Sequence, residues 1–290
     1  MQLFSIENDF LFVGINSKGA EWNSLKNKIT GLEYLWQKSQ PYWQRQSPVL
    51  FPVVGRLRND DYEFGGRHFS LTQHGFARDM EFMCVSQSKN QITFSLKSDA
   101  VTLAKYPFYF ELLITYSLLG NQLFTTYQVI NKSVGDLYFS IGAHPAFACP
   151  LIEGEKLNDY YLDFEKDEPL IRNFISKGLL TPRTEELVKK SGKLFLSEGL
   201  FIDDALVFHN LESTKVSLKS KNHEHSVSVG FSGFPYLGIW KQADAPFICI
   251  EPWQGITDVQ GTHGKFEDKR GIIKLKENDT HHCEWFVQIS

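Results

Sequence analysis

The chain has 290 residues, of which 42% are hydrophobic and 22% charged, with a formal net charge of −4 at pH 7. This composition is that of a globular protein, and without a dense Lys/Arg stripe it argues against a nucleic-acid partner. No run of about 18 apolar residues is present, so no membrane partner is expected. The N-terminus lacks the basic and apolar segments of a signal peptide, which predicts a cytoplasmic protein. We interpret residues 1–290 as one domain, because all-β domains commonly reach about 200–250 residues.

Strand patterns dominate the predicted elements. Apolar and polar residues alternate with period two over 92–96, which predicts a strand. A short helix is predicted over 98–106, where Pro107 ends it. The β-prone runs 110–118 and 123–130 flank Gly120-Asn121, a dipeptide that favours a hairpin turn.

The second half of the chain contains a polar, irregular stretch, 158–199, which we interpret as a long insertion over one face of the fold. Within it, Thr181-Pro182 resembles the start of a capped helix, with a loop as the alternative. Alternation resumes over 227–231, and 285–289 has the pattern of a terminal strand that closes a sheet. The chain is therefore predicted to be all-β, as one large antiparallel β-sandwich.

Two short runs place candidate proton-transfer groups in apolar surroundings. His144 precedes Pro145, which biases it toward extended backbone. Glu251 follows the hydrophobic run 247–250, where a carboxylate is costly unless it is paired or functional. A general acid and a general base of this kind suit the reversible opening of a sugar ring. The structural alternatives are a histidine hydrogen-bonded within a sheet turn and a salt bridge from Glu251 to an arginine such as Arg56 or Arg78.

Other polar and aromatic residues suggest ligand contacts. Arg56 ends the run 47–56, which is either a buried edge segment with a solvated arginine or a segment that aims a guanidinium at a polyhydroxyl or anionic ligand. His74 precedes Gly75, where the backbone can turn sharply. Trp240 offers an apolar platform for the C–H face of a sugar ring, as do Trp253 and Phe147, with core packing as the alternative for each.

Metal and cofactor motifs are weak. The closely spaced histidine pairs, His223/His225 and His281/His282, lie in polar, turn-like or terminal sequence, so no metal site is expected there. The four cysteines contain no C-x-x-C pair, which favours free thiols. The sequence also lacks a nucleotide-binding glycine loop and a hydrolase nucleophile elbow, which excludes the common nucleotide-dependent enzymes and the α/β-hydrolases.

The order of these motifs resembles the aldose 1-epimerase (galactose mutarotase-like) family. The most specific part is His74-Gly75-Phe76-Ala77-Arg78 combined with Gly142-x-His144-Pro145. Segments 19–25, 35–36 and 47–52 look like the N-terminal region of that family. The ending Cys249-Ile250-Glu251-Pro252-Trp253 is similar to a branch that contains LacX-type proteins.

The resemblance implies a galactose mutarotase-like supersandwich with a shallow sugar cleft on one sheet. It implies that His144 protonates the ring oxygen and that Glu251 takes the proton of the anomeric hydroxyl, the roles reversing after rotation about the C1–C2 bond. Arg56 and His74 would hold ring-oxygen and hydroxyl positions. Asp204 would be the sugar-binding aspartate, with the adjacent Asp203 as the other candidate. No metal or organic cofactor is implied.

Three functions are compatible with these residues. The first is a mutarotase acting on a free aldose, which we favour because Arg56 matches a position that the family uses for unphosphorylated sugars. The second is a hexose-6-phosphate 1-epimerase with Arg56, Arg58 and Arg78 as a phosphate clamp. The third is a non-catalytic sugar-binding or sensing domain, which would not need a matched acid and base. The expected partner is a small sugar, and the protein is expected to be a monomer or a homodimer.

Overall fold

The computed structural model describes residues 1–189, 191–262 and 264–290. Over these residues the chain forms 24 strands, one four-residue α-helix and five short 3-10 turns. In chain order the strands are β1 (Leu3–Glu7), β2 (Leu11–Asn16), β3 (Trp22–Asn27), β4 (Val49–Leu50), β5 (Asp61–Phe64), β6 (Arg67–Ser70), β7 (Met83–Gln87), β8 (Gln91–Lys97), β9 (Phe110–Leu119), β10 (Gln122–Asn131), β11 (Leu137–Phe139), β12 (Ile141–Ala143), β13 (Ala146–Ala148), β14 (Tyr160–Phe164), β15 (Leu170–Ser176), β16 (Leu179–Val188), β17 (Lys193–Phe195), β18 (Leu206–His209), β19 (Lys215–Ser220), β20 (Ser226–Gly230), β21 (Tyr236–Trp240), β22 (Phe247–Gln254), β23 (Ile273–Leu275) and β24 (Thr280–Ile289).

The larger of the two main sheets is antiparallel and has the strand order β17-β14-β19-β20-β24-β10-β9-β8-β7. Its longest hairpin is β9–β10, in which Leu119 pairs with Gln122 around Gly120, whose φ of 56° suits glycine. The predicted hairpin and the predicted strands at 92–96 and 227–231 are therefore confirmed. The predicted terminal strand becomes β24, which lies between β20 and β10 in the middle of the sheet.

The second main sheet has the order β16-β15-β18-β21-β22-β12-β4, and β13 also pairs with β22. A three-stranded sheet, β1-β2-β3, and the strand pairs β11-β23 and β5-β6 complete the sheet structure of the described residues. No helix in this part of the chain is long and apolar enough to cross a membrane.

The core lies between the two main sheets and is built by the period-two alternation of their strands. From β9, Leu112 and Ile114 are fully buried, and from β22, Ile248 and Ile250 belong to the same apolar cluster. Each such side chain contributes about 1.5–3 kcal/mol when it leaves water. The predicted large antiparallel β-sandwich is confirmed.

The irregular insertion predicted over 158–199 is wrong, because this stretch forms β14 to β17 and joins both main sheets. The helix or loop predicted at Thr181-Pro182 is also wrong, since both residues lie within β16. Proline is tolerated there because β16 is an edge strand and its register with β15 is irregular between Asn173 and Ile175. The helix predicted over 98–106 is present but short, spanning Ala100–Leu103 behind a capping box at Asp99.

Candidate active site

The site is built on the outer face of β22, the face turned away from the sandwich core. Successive side chains of a strand point to opposite faces. Ile248 and Ile250 therefore enter the main core, whereas Cys249, Glu251 and Trp253 lie on the other side of the sheet. The hydrophobic run that precedes Glu251 therefore contributes side chains to the main core and to a second apolar cluster outside it. The Glu251 carboxyl lies on the outer side.

Strand register brings His144 to Glu251. β12 pairs Gly142 with Trp253, and β13 pairs Ala146 with Cys249, so His144 occupies the position opposite Glu251. Directly opposite residues of antiparallel strands have neighbouring side chains. The His144 Nε2 atom lies 3.3 Å from the Glu251 Oε2 atom. The residues are 8% and 1% exposed, so this is a buried acid–base pair.

Burial decides where the proton of this pair resides. It raises the pKa of Glu251 well above the ordinary carboxyl value; the nearby Trp253 indole offsets part of the rise and the Asp204 charge adds to it. Burial also lowers the pKa of His144 to about 3, and the positive charges of Arg78 and Arg45 act in the same direction. Among the described residues, Glu251 Oε2, His144 Nδ1 and the Trp253 indole nitrogen form no hydrogen bond of ordinary geometry. The favoured state is a neutral pair that holds one proton on the carboxyl side.

Two glycines make room for Trp253, which forms part of the cavity wall. A Cβ atom on Gly238 would lie 2.4 Å from the Trp253 ring, and one on Gly142 would lie 2.8 Å from it. Real Cβ atoms do not approach other atoms this closely, so a larger residue at either position would displace the indole. The strands on both sides of β22 are thus adapted to this ring.

His74 is fixed by its backbone and by one ring nitrogen. Its φ is 67°, in the left-handed region, and the following Gly75 leaves space for a close approach to Phe51. The backbone N–H of Gly55 donates to His74 Nδ1 at 3.1 Å. Burial lowers the pKa of His74 well below its ordinary value, and His144, Arg78 and Arg45 lower it further. The ring is therefore neutral with its proton on Nε2, which makes His74 a hydrogen-bond donor at that atom.

These side chains surround a cavity of about 360 Å³, within the usual size range of small-molecule sites. The lining residues are Trp43, Gly55, Gln73, His74, Arg78, His144, Ile175, Gly178, Asp204, Ala205, Trp240, Glu251, Trp253 and Thr257.

Aromatic rings form a wall of the cavity. The Trp43 ring lies 4.7 Å from the His144 ring, centroid to centroid, at an interplanar angle of 32°. Trp240 meets both Trp43 and His144 edge-on, at 5.6 Å in each case. Rings of this kind offer an apolar face to the C–H side of a sugar. Phe147, by contrast, is fully buried in the main core.

Two residues that carry charge in the free state, Arg78 and Asp204, line the cavity beside the His144–Glu251 pair. The Arg78 side chain is 16% exposed and donates to the Gln73 carbonyl at 2.6 Å. Burial and the neighbouring Arg45 lower its pKa, although a guanidinium stays cationic at neutral pH. Asp204 lines the cavity, and Asp203 instead lies within 4 Å of Arg172 and Arg183. The geometry therefore favours Asp204 over Asp203 as the ligand-facing carboxylate.

Two of the predicted arginines lie elsewhere. Arg56 is exposed and forms a bidentate hydrogen-bonded ion pair with Asp60, at 2.8 Å for both contacts. Arg58 lines a different cavity, of about 550 Å³, together with groups such as His68 and Lys265. Neither arginine is among the described residues that line the cavity at His144 and Glu251. The smaller cavity is the better candidate because it contains the buried acid–base pair.

Several lining residues were not found by the sequence analysis. Trp43 had a readable signal, since it is an aromatic residue within the polar loop 37–46. Gln73 and Thr257 had none, because isolated polar residues are common in loops. Ile175 and Gly178 come from the stretch misread as an insertion. Arg45, beside Arg78, adds positive charge near the imidazoles.

Among the described residues, one group of three side chains has the spacing of candidate metal ligands. His144, Cys249 and Glu251 each offer one ligand atom, and these atoms lie within 4.8 Å of one another. The histidines considered in the sequence have other contacts: His223 with Glu155, His225 with the Ser290 carbonyl and His281 with Gln254. All four cysteines are free thiols, as expected.

Known structures of the same architecture define the class: a galactose mutarotase-like fold. A galactose mutarotase related enzyme from Lactobacillus acidophilus superimposes with a TM-score of 0.96 at 35% identity, covering 100% of this chain and 97% of that one. A galactose mutarotase-like protein from Lactobacillus casei gives a TM-score of 0.93 at 32% identity and covers 100% of both chains.

The family follows from the sequence comparison. The family model described as aldose 1-epimerase matches residues 2–272, and the chain belongs to that family. It is also 37% identical to the chromosomal Protein LacX of Lactococcus lactis subsp. lactis over 294 aligned positions, which cover 98% of each chain. Family and fold together support an isomerase that epimerises a sugar.

Proposed function

We propose that this protein is an aldose 1-epimerase that interconverts the α and β anomers of a free hexose, with His144 and Glu251 as its acid–base pair and with no cofactor. The observation that carries the proposal is the 3.3 Å contact between these two side chains at the wall of the cavity. Ring opening needs two proton transfers at neighbouring oxygens, and one imidazole and one carboxyl suffice for both.

The proton balance closes within the pair. Transfer of the single shared proton from Glu251 to His144 yields a carboxylate and an imidazolium. Glu251 then takes the proton of the anomeric hydroxyl while His144 gives its proton to the ring oxygen, the bond between C1 and the ring oxygen breaks, and the C1 carbonyl forms. Rotation about C1–C2 presents the other carbonyl face. Closure runs the same transfers in reverse, and the pair ends with one proton.

Sugar binding favours the charge-separated form. Glu251 Oε2 has no hydrogen-bond donor of good geometry among the described residues, so an anomeric hydroxyl would supply the donor that a buried carboxylate requires. His74 Nε2–H and the Arg78 guanidinium would donate to other hydroxyls, and Asp204 would accept from one. Trp43 and Trp240 would cover the apolar face of the ring.

The test is anomer exchange measured by NMR with the purified protein and a panel of aldoses, after subtraction of the uncatalysed rate. We expect the protein to accelerate exchange for at least one free hexose. A protein that binds a hexose yet leaves its exchange rate equal to that of buffer would contradict the proposal and support the non-catalytic sugar-binding alternative.

A second candidate, a hexose-6-phosphate 1-epimerase, is favoured by one observation: Arg78, which lines the cavity, has a second arginine, Arg45, beside it. Two adjacent guanidinium groups suit a phosphate. The discriminating variant is R78Q, with R58Q as its control because Arg58 lines the other cavity. For a free-hexose enzyme, R78Q changes activity on a hexose and on its 6-phosphate to a similar extent. Selective loss of a strong preference for the 6-phosphate in R78Q, but not in R58Q, would establish the second candidate.

A further inference from the structure

We propose that the outer face of β22 also binds a thiophilic divalent cation such as Zn²⁺ or Cd²⁺, held by His144, Cys249 and Glu251, and that the bound cation inhibits the enzyme. The inhibition rests on the proposed epimerase activity, whereas the binding does not.

Two of the three ligands lie on the same face of β22, and the third lies opposite them on the neighbouring chain segment. Cys249 and Glu251 are two residues apart on β22 and share its outer face, and His144 faces Glu251 from the junction of β12 and β13. One ligand atom of each lies within 4.8 Å of the others. Tetrahedral zinc holds its ligands at about 2.0–2.3 Å, which places neighbouring ligand atoms roughly 3.3–3.8 Å apart. The contact between His144 and Glu251 already has this spacing, at 3.3 Å.

Burial and an unpartnered carboxylate oxygen provide the second line of evidence. His144, Cys249 and Glu251 are all buried, and Glu251, at 1% exposed, has an Oε2 atom that makes no hydrogen bond to any described residue. The buried Glu251 carboxyl avoids the cost of an unpaired charge by keeping a proton, and a bound cation replaces that proton as its charge partner. Because His144 and Glu251 also line the cavity, a water from the cavity can complete the coordination of the cation.

Charge balance selects a divalent ion. Binding would release two protons: one from the Cys249 thiol, and the one that the His144–Glu251 pair shares. The site would then hold a thiolate, a carboxylate and a neutral imidazole around a dication, with a net charge of zero in a buried environment. Sulfur and imidazole ligands favour Zn²⁺ and Cd²⁺ over Mg²⁺ and Ca²⁺.

Inhibition follows from the shared ligands. The cation occupies the same imidazole nitrogen and carboxylate that ring opening uses for proton transfer. While it is bound, neither group can accept or donate the required proton. The cation therefore acts on the site as a competitor of the sugar.

The experiment uses the full chain after treatment with EDTA and dialysis. Zn²⁺ is titrated by calorimetry in the absence of sugar, and Co²⁺ is added in a parallel sample to detect thiolate-to-metal charge-transfer absorption. We expect one ion per chain and a thiolate band. C249A should weaken binding by more than the roughly 10–100-fold that loss of an outer-shell partner costs. C149A is the matched control, because Cys149 is also buried and free and lies outside the three-residue group.

The outcomes are separable. Absence of Zn²⁺ binding, or equal affinity in C249A and the wild type, would overturn the site. Zn²⁺ binding that leaves the rate of anomer exchange unchanged, or raises it, would overturn the inhibition. The rate of each variant with Zn²⁺ is compared with the metal-free rate of the same variant. If C249A fails to fold, C249S keeps the number of side-chain heavy atoms and tests the loss of the sulfur ligand. If the metal-free wild type shows no exchange activity, the proposed function fails while the calorimetric result still decides the site.

Discussion

Two histidine–glutamate pairs in this molecule have similar geometry and different surroundings. His144 and Glu251 lie 3.3 Å apart at the cavity, and His223 and Glu155 lie 3.0 Å apart beside the β19–β20 turn. In both pairs the contact joins the histidine Nε2 atom to the glutamate Oε2 atom. In both, the histidine Nδ1 atom is buried without a hydrogen-bond partner in the described part of the chain.

The two carboxylates differ in their donors. Glu155 accepts hydrogen bonds from the Tyr160 hydroxyl, from Ser220 at 2.8 Å and from Asn222 at 2.9 Å. Burial alone raises the pKa of Glu155, but these bonds and His223 more than offset it, and the net shift is downward. For Glu251 the effect of burial is dominant, and the net shift is upward.

The comparison shows that hydrogen-bond supply, more than the histidine contact, decides the character of such a pair. A carboxylate with a complete set of donors is a fixed structural anion. One that lacks them keeps a proton and can exchange it, which is what acid–base catalysis needs. We therefore expect Glu155 to stabilise the fold, whereas Glu251 has the character that the proposed proton transfer requires.

The largest expected difference between the two pairs is in catalysis. We expect H144A and E251Q each to lower the rate of anomer exchange by about 10²–10⁴-fold, since each removes one positioned proton-transfer group. The matched changes H223Q and E155Q should leave the rate within a few-fold of the wild type. Exchange NMR on one hexose measures all four. Equal losses in both pairs would show that the rate reports fold integrity, and wild-type rates in H144A and E251Q would contradict the mechanism.

Much of the fold could be predicted from the sequence where burial is one-sided. The alternation in β8 and the Gly120-Asn121 turn identify the β8–β9–β10 meander because one face of these strands enters the core. Residues 158–199 were misread for the opposite reason. β16 lies at a sheet edge, and its consecutive residues Pro182 to Glu186 are all exposed, so the alternation fades there.

The site was predictable in its residues and not in its geometry. His144 and Glu251 are detectable because they are polar groups in apolar runs. Their proximity depends on the pairing of β12 and β13 with β22, strands separated by about a hundred residues in the chain, and no local pattern encodes that register. For Arg56 the sequence suggested a ligand contact, but the structure gives it a local partner: Asp60, four residues later, binds its guanidinium.

The second prediction concerns stability. E155A should lower the free energy of unfolding by about 1–3 kcal/mol, because it leaves the buried Tyr160 and Ser220 hydroxyls without their charged acceptor. E251Q should be as stable as the wild type or more stable at pH 7. The pKa of Glu251 is raised by folding, so its contribution to stability is present below the ordinary carboxyl value and is lost as pH rises toward the folded value. Urea unfolding at pH 5 and pH 7 measures both variants, and a marked loss of stability in E251Q would contradict the account.

The third prediction is a pH profile. The active pair holds one proton. While Glu251 is protonated, His144 becomes an imidazolium, and the pair gains a second proton, only near its lowered pKa of about 3. The acid limb of kcat/KM should therefore lie below the ordinary carboxyl value of 4.5. Rates are measured across the acid range, with a return to pH 7 to check that activity is recovered. An acid limb near 6.5, the ordinary histidine value, would indicate an unperturbed imidazole instead.

The smallest expected effect is that of metal removal. In the proposed mechanism the pair carries out both proton transfers, so exhaustive EDTA treatment and dialysis should leave the exchange rate unchanged, or raise it if a trace of inhibiting metal was bound. Loss of activity that Zn²⁺ or Mn²⁺ restores would mean that a metal takes part in the reaction.

The most direct test of the contrast between the two pairs is a carbon-13 NMR titration of the glutamate side-chain carboxyls, with E155Q and E251Q used to assign the two resonances. We expect Glu155 to become protonated below the ordinary value of 4.5, and Glu251 to remain protonated to a pH well above it. A Glu251 carboxyl that ionises at or below 4.5, together with Glu155, would contradict the claim that the cavity pair is neutral and poised for proton transfer.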